Sequence, residues 1–278
     1  MMIKKITQKQ RRRFEIIETV AYWEGIINAT ILVKLFGVSW SNALKEFNAY
    51  KEHCPEQFEY NASLKLFIVK DGFKPRYIST DWDVYHAHII TFRTIYNAEL
   101  WNSSAIEILP LTYNSVNNDV IRKVSIAIKN GDSLTVKYCS LKHPRGLTRT
   151  LHPHAIAFNG IRWHLRAFSK EHGEFRDFNL SRIKKIVIKG KSDINLLDDH
   201  DWHSIMSLDL SAHPKLDTKQ RKLVLSDYGY SEDFSVNLRA SMIKYFVKMH
   251  SIATDTQQDP FSHPLFLKNA ESLDNYIL

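Results

Sequence analysis

The 278-residue chain has only two cysteines and nine scattered glycines. No run of it approaches the ~20 consecutive apolar residues of a membrane-spanning helix. Cys54 and Cys139 are far apart and lack metal-ligand spacing, which excludes a disulfide framework or a thiolate metal centre, and both are read as inert. The opening MMIKKITQKQRRR has no apolar core of the signal-peptide type, so a cytoplasmic protein is expected. No glycine-rich phosphate loop, nucleophile elbow or Cys/His pair stands out, so neither an enzyme nor a cofactor is expected. DDHDWH at 198–203 contains metal-ligand residue types, but no second cluster matches it, and an acidic loop is the expectation.

Acids are scarce where bases are dense. Residues 1–80 carry 13 Lys and Arg against 8 Asp and Glu, and residues 121–190 carry 15 against 4. Residues 81–120 carry 1 against 5, and residues 191–278 carry 9 against 13. Two basic modules thus alternate with acidic ones, and two separate anion-receiving sites are the economical interpretation.

The first basic module opens with Lys4, Lys5, Lys9, Arg11, Arg12 and Arg13, expected as an arm before a helix whose apolar positions are Phe14, Ile17, Val20 and Ala21. A second helix fits 29–36. Gly37-Val38-Ser39 then supplies a turn and a cap for a third helix running to about His53. Ala43, Leu44, Phe47 and Tyr50 form its inner stripe, leaving Trp40, Ser41, Asn42, Lys45, Asn48 and Lys51 outside. The two β-prone runs of QFEYNASLKLFIV read as a hairpin wing. Together these are the parts of a winged helix-turn-helix, whose second helix can enter the DNA major groove. Arg11, Arg12, Arg13, Ser39, Trp40, Ser41, Asn42, Lys45, Asn48, Lys51 and Lys65 are its candidate DNA-contacting residues, because cations neutralise phosphate while Asn and Ser bond base edges. A merely solvated helix face is the plainer alternative.

Residues 81–130 read as a helical connector, with Trp82, Tyr85, His88, Ile89, Phe92 and Ile95 at helical period. The second basic module, residues 131–190, reads as about five short antiparallel strands forming a small barrel-like sheet. Its strands alternate as in Leu134, Val136 and Tyr138, and Asn159-Gly160 marks a hairpin. A two-residue turn there would pair Phe158 with Ile161, Ile156 with Trp163, His154 with Leu165 and Pro153 with Arg166. Ile161, Trp163 and Leu165 would then face the core. Between Arg149 and Ile183 stand five arginines and four histidines against three acids. Tyr138, Ser140, Arg149, His152, His154, His164, Arg166, Arg176 and Arg182 are therefore candidates for holding a phosphorylated or otherwise anionic ligand. A single site would need curvature, a bulge or strand ends to gather them. The alternative is that several arginines pair with Glu171, Glu174, Asp177 or the acidic tail, the assignment preferred for Arg162 and Lys170. Residues 200–278 read as an α+β unit with a helix near 239–250.

Tyr138, Arg149, Pro153, Gly160, Trp163, Leu165, Phe178 and Arg182-Ile183 fall in the order and approximate spacing of the WYL domain, an SH3-like or Sm-like β-module. The namesake Trp-Tyr-Leu is Trp163-His164-Leu165 here, with histidine replacing the tyrosine. Preceded by a winged helix-turn-helix (1–80) and followed by an extension (200–278), nearly the whole α+β chain resembles bacterial WYL-domain transcriptional regulators. Those that accompany phage-defence operons of the BREX and CBASS kind are the likeness intended. The resemblance implies a homodimer that represses by binding an inverted-repeat operator in double-stranded DNA, contacts itself through its C-terminal extension, and senses a small anionic effector of nucleotide type. An RNA- or single-strand-binding protein that stacks bases on Tyr138, Trp163 and His164 is the second interpretation.

Overall fold

Thr7 starts the first helix, α1 (Gln8–Glu24). Its hydroxyl accepts from the Gln10 amide at 3.2 Å, while the Gln10 side chain accepts from the Thr7 amide at 3.1 Å. Lys9 and Arg11 to Arg13 therefore lie within α1, correcting the expected arm, because this capping box nucleates a turn that lysine and arginine readily continue. The computed structural model describes residues 6–82, 84, 85, 87 and 116–277. They fall in two units, Met1–Ile108 and Leu109–Leu278.

In the first unit, strand β1 (Ile26–Ile27) precedes α2 (Ala29–Phe36), which Asn28 caps and Gly37 ends in the left-handed conformation at φ +61°. Helix α3 (Trp40–His53) buries Ala43, Phe47 and Tyr50, as the apolar stripe requires. Strands β2 (Phe58–Asn61) and β3 (Leu66–Val69) form the hairpin, and β3 lies between β1 and β2. Phe47 packs on Phe58 and Phe67, with ring centroids 5.3 and 4.8 Å away, which fixes the hairpin against α3. A buried carboxylate ties the unit together. Glu18 accepts from the Tyr50 hydroxyl at 2.9 Å and from the backbone amides of Arg76, Tyr77 and Ile78 at 2.9, 2.6 and 3.2 Å.

Of the expected connector, Trp82 and Tyr85 belong to this unit, where Tyr85 stacks on Trp23; His88, Ile89, Phe92 and Ile95 lie outside the described residues. Asn118–Asn130 forms α4, which packs on the second unit's sheet. Its Val120, Val124 and Ala127 share one core with Leu134, Val136, Leu151, Leu165 and Phe178.

That sheet is built from β4 (Asp132–Tyr138), β5 (Leu147–Phe158), β6 (Trp163–Ser169), β7 (Glu174–Asn179) and β8 (Ile183–Lys191), in the order β7-β6-β5-β4-β8. No ladder joins β7 to β8 among the described residues, so the sheet expected to be barrel-like is not closed by hydrogen bonds there. The hairpin register also differs from expectation. Observed partners are Phe158 with Trp163, Ile156 with Leu165, Ala155 with Arg166 and Pro153 with Ala167. The cause is a four-residue turn, in which the Asn159 side chain accepts from the amides of Ile161 and Arg162 at 3.0 and 2.7 Å. Ile161 thus lies in the exposed turn and Trp163 stays 40% exposed, while Leu165 is buried as expected. A bulge between Pro153 and Ala155 makes His154 an extra residue on β5.

A short helical turn α5 (His200–His203) leads to a second sheet in this unit, in which β9 (Ile205–Ala212) lies between β10 (Phe234–Arg239) and β11 (Leu265–Leu267). Helices α6 (Thr218–Asp227) and α7 (Ile243–Met249) accompany it, and Ile243 and Val247 share its core with Leu208, Leu210 and Leu265.

Candidate DNA-reading face and anion pocket

Helix α3 presents a polar face because its apolar residues are committed to Phe14, Leu32 and the wing. Trp40 is 58% exposed at its first turn, and Ser41, Asn42, Lys45 and Asn48 are exposed along it. Ser39 has a structural duty, since its hydroxyl caps α3 by accepting from the Asn42 amide at 3.4 Å. Lys65 is exposed in the wing turn at φ +52°.

Three candidate cations have partners within the unit. Arg13 forms an ion pair with Glu46 of α3 and lies 5.4 Å over the Phe36 ring, so it fastens three helices together. Arg11 pairs with Glu15 one turn on, at 3.2 Å. The Lys51 ammonium sits over the rings of Phe47 and Phe67, at 5.2 and 4.6 Å, and packs on the wing. Arg12 is exposed and, with Lys9 and Gln8, edges a groove floored by Ile16, Leu35 and Phe36.

In the second unit, five of the nine candidate residues come together. Tyr138, Ser140, Arg149, Arg176 and Arg182 line one cavity of about 440 Å³, joined by Lys142, His143, His172, Asp177 and Phe178. The cavity gathers the end of β4, the following turn, β5, β7 and the segment after it. Its lining holds four cationic side chains, Lys142, Arg149, Arg176 and Arg182, and one carboxylate, Asp177. The Tyr138 ring meets Phe178 edge-on at 5.2 Å, and its oxygen accepts from the Asn179 amide at 3.2 Å. Arg149 reaches the His172 ring at 3.3 Å, while its Nε is buried and unpartnered. Arg176 pairs with Glu174 at the exposed rim. For His172, desolvation of the ring and then the charges of Arg176 and Arg149 hold the pKa below its ordinary value. The arrangement suits an oxyanion, which arginines grip through paired N–H donors.

Arg166, His152, His154 and His164 do not line that cavity. Arg166 is 5% exposed, and its guanidinium forks onto Asp199 with two bonds of 2.7 Å, with Asp177 at 3.3 Å and Asp201 at 3.4 Å. His154 Nε2 lies 2.7 Å from the same Asp199. Burial alone would raise the Asp199 carboxyl, but hydrogen bonds from Arg166 and His154 outweigh it and hold the group well below the usual carboxylate range. The DDHDWH run is thus the acidic counterpart of a buried arginine, and no metal-ligand cluster occurs among the described residues. His152 is buried against the Ser192 hydroxyl at 2.7 Å, and His164 lies 5.2 Å from the Tyr245 ring; burial lowers the pKa of both.

Sequence reasoning missed Lys142, His143 and His172 as pocket lining and Glu18 as a clamp. Lys142-His143 stands in the loop after a strand in a basic module, a signal that pointed there; Glu18 had none, being one acid on a helix.

Three family models match the chain in order. The BrxR transcriptional regulator winged helix-turn-helix domain matches residues 9–89, the WYL domain residues 119–188, and the BrxR transcriptional regulator C-terminal dimerization domain residues 205–273. The chain is therefore a WYL-domain winged helix-turn-helix regulator. It is similar to the DNA-binding transcriptional repressor CapW of Escherichia coli (strain KTE188), 28% identical over 270 residues that cover 95% of this chain and 90% of that one. CapW of Pseudomonas aeruginosa is 28% identical over 96% of this chain and 92% of its own, and CapW of Stenotrophomonas maltophilia 24% identical over 98% and 94%. No helix among the described residues is long and apolar enough to cross a membrane.

Proposed function

We propose that the chain is a DNA-binding transcriptional repressor, dimeric through residues 205–273, that holds an inverted-repeat operator of a phage-defence operon and is switched by an anionic, nucleotide-like effector in the Arg149–Arg176–Arg182 cavity. The carrying observation is the end-to-end likeness to proteins named DNA-binding transcriptional repressors, with all three family modules in order. The exposed α3 face supports the DNA role. Its Trp40, Ser41, Asn42, Lys45 and Asn48 are exposed on the helix proposed to read base edges, and Lys65 and Arg12 are exposed cations suited to phosphate. The cavity supports the effector role, for its volume and its excess of cations match a small phosphorylated molecule.

Two half-sites one or more helical turns apart, about 34–36 Å per turn, tolerate little change in spacing, so an effector that alters the dimer would alter occupancy. Driving occupancy from 99:1 to 1:99 takes about 5.5 kcal/mol of differential affinity. Several charge-assisted bonds can supply that.

The test is a protection footprint on DNA upstream of the chain's own gene, followed by gel shifts with duplex and single-stranded probes. An inverted repeat bound as duplex is expected. Lys45→Ala should weaken binding about tenfold and lower the salt slope by about 0.9, as loss of one phosphate contact does. Preference for single strands would instead favour a single-strand-binding protein.

A further inference from the structure

Asp177 is the one carboxylate lining the cationic cavity, and both of its oxygens are engaged outside it. Oδ1 accepts from Arg166 Nη1 at 3.3 Å, and Oδ2 accepts from the Tyr245 hydroxyl at 2.9 Å. The first contact follows from register, since Arg166 of β6 and Asp177 of β7 are direct cross-strand partners. The second reaches α7, whose Ile243 and Val247 are buried in the core of the C-terminal sheet, within the region matched by the dimerization domain. Arg166 in turn holds Asp199 and Asp201, which lie on the chain between the two sheets of this unit. A single side chain, largely buried, thus touches the cavity, the buried arginine and the dimerization region.

We propose that Asp177 is the positioning residue that couples occupancy of the cavity to the C-terminal dimerization region, releasing Tyr245 and Arg166 when an anion binds; this rests on the cavity being the effector site. An incoming dianion brings negative charge beside Asp177 in surroundings where the effective dielectric is about 20, so repulsion there is large against thermal energy. Asp177 relieves that repulsion by withdrawing from the cavity wall, which deprives the Tyr245 hydroxyl of its acceptor and leaves Arg166 to Asp199 and Asp201. Helix α7 then loses its polar tie to β7. Coupling of this kind is reciprocal, so whatever fixes α7 must also change affinity at the cavity.

The experiment uses the full chain, inorganic pyrophosphate as probe, calorimetry for binding, and hydrogen exchange at residues 196–203 and 243–249. In the unsubstituted protein, saturating pyrophosphate should speed exchange at 243–249 about tenfold or more while 196–203, still held by Arg166, exchanges no faster, and Arg182→Ala should weaken pyrophosphate binding by about tenfold. Asp177→Asn should bind pyrophosphate several-fold more tightly, because a like charge is gone, yet give no change at 243–249. Tyr245→Phe lies outside the cavity and keeps Asp177, so it guards against misfolding of the first variant. It should bind pyrophosphate several-fold more tightly, because the bond that anion binding must break is already gone, and lose the response at 243–249 with 196–203 unchanged. If both variants transmit the parent's full response, the coupling role is overturned and the effector site stands. If the parent does not bind pyrophosphate, or Arg182→Ala binds it as well as the parent, the effector site falls and the coupling falls with it.

Discussion

Replacing Arg166 should cost stability before it costs anything else. Its guanidinium is the main cationic partner of Asp199, whose side chain is 1% exposed, and it also meets Asp177. Arg166→Ala leaves one buried carboxylate to His154 and the Trp202 amide, without its fixed cation, and weakens the hold on a second. Breaking a buried pair from one side costs about 3–5 kcal/mol, roughly a fifth or more of the about 5–15 kcal/mol that holds a typical domain together. For a unit of this size the melting temperature should fall by about 10 °C, read by thermal denaturation with hydrogen exchange at 154–177 to assign the transition. A second substitution tests the cause. Asp199→Asn should destabilise the parent, because it removes the stronger fork partner of Arg166, but should stabilise Arg166→Met, because there it removes an uncompensated buried charge. The pH dependence follows with a definite sign. Asp199 is held below its ordinary value in the fold, so its contribution is complete above the ordinary carboxylate range and is lost as pH falls through that range toward the depressed value. Arg166→Met should flatten that acid-side loss. An Arg166→Ala protein within about 1 kcal/mol of the parent, or Asp199→Asn acting with one sign in both backgrounds, would refute the reasoning.

Glu18→Ala leaves three backbone amides and the Tyr50 hydroxyl without their acceptor, and should destabilise the N-terminal unit by about 3–5 kcal/mol in urea denaturation, with Glu18→Gln milder. His172 lines the cavity with its pKa depressed, and a bound anion would raise it. Relative to His172→Gln, which carries the probe's own titration alike, pyrophosphate affinity should therefore rise as pH falls through the ordinary histidine range, with the extra proton uptake visible as a buffer-dependent enthalpy.

What could be known from the chain alone was set by local rules. Period-3.6 apolar spacing, Ser39 as a cap and Gly37 as a stop place α2 and α3 where they are found, and alternation places β4. Charge density likewise marks the strand-rich segment around Arg149 and Arg182 as strongly basic, and the motif order marks the family. What tertiary structure alone decided was which charges are free. Arg13, Lys51 and Arg166 look like Arg12, Lys45 and Arg182 in a sequence, since composition carries no record of the partner a side chain meets after folding. Asp199 lies 33 residues beyond Arg166, and the bulge at His154 and the four-residue turn at Asn159 bring the two histidine and arginine side chains onto it. Long-range pairing of this kind depends on register, and a register is a property of two strands and their turn together, which neither strand specifies by itself.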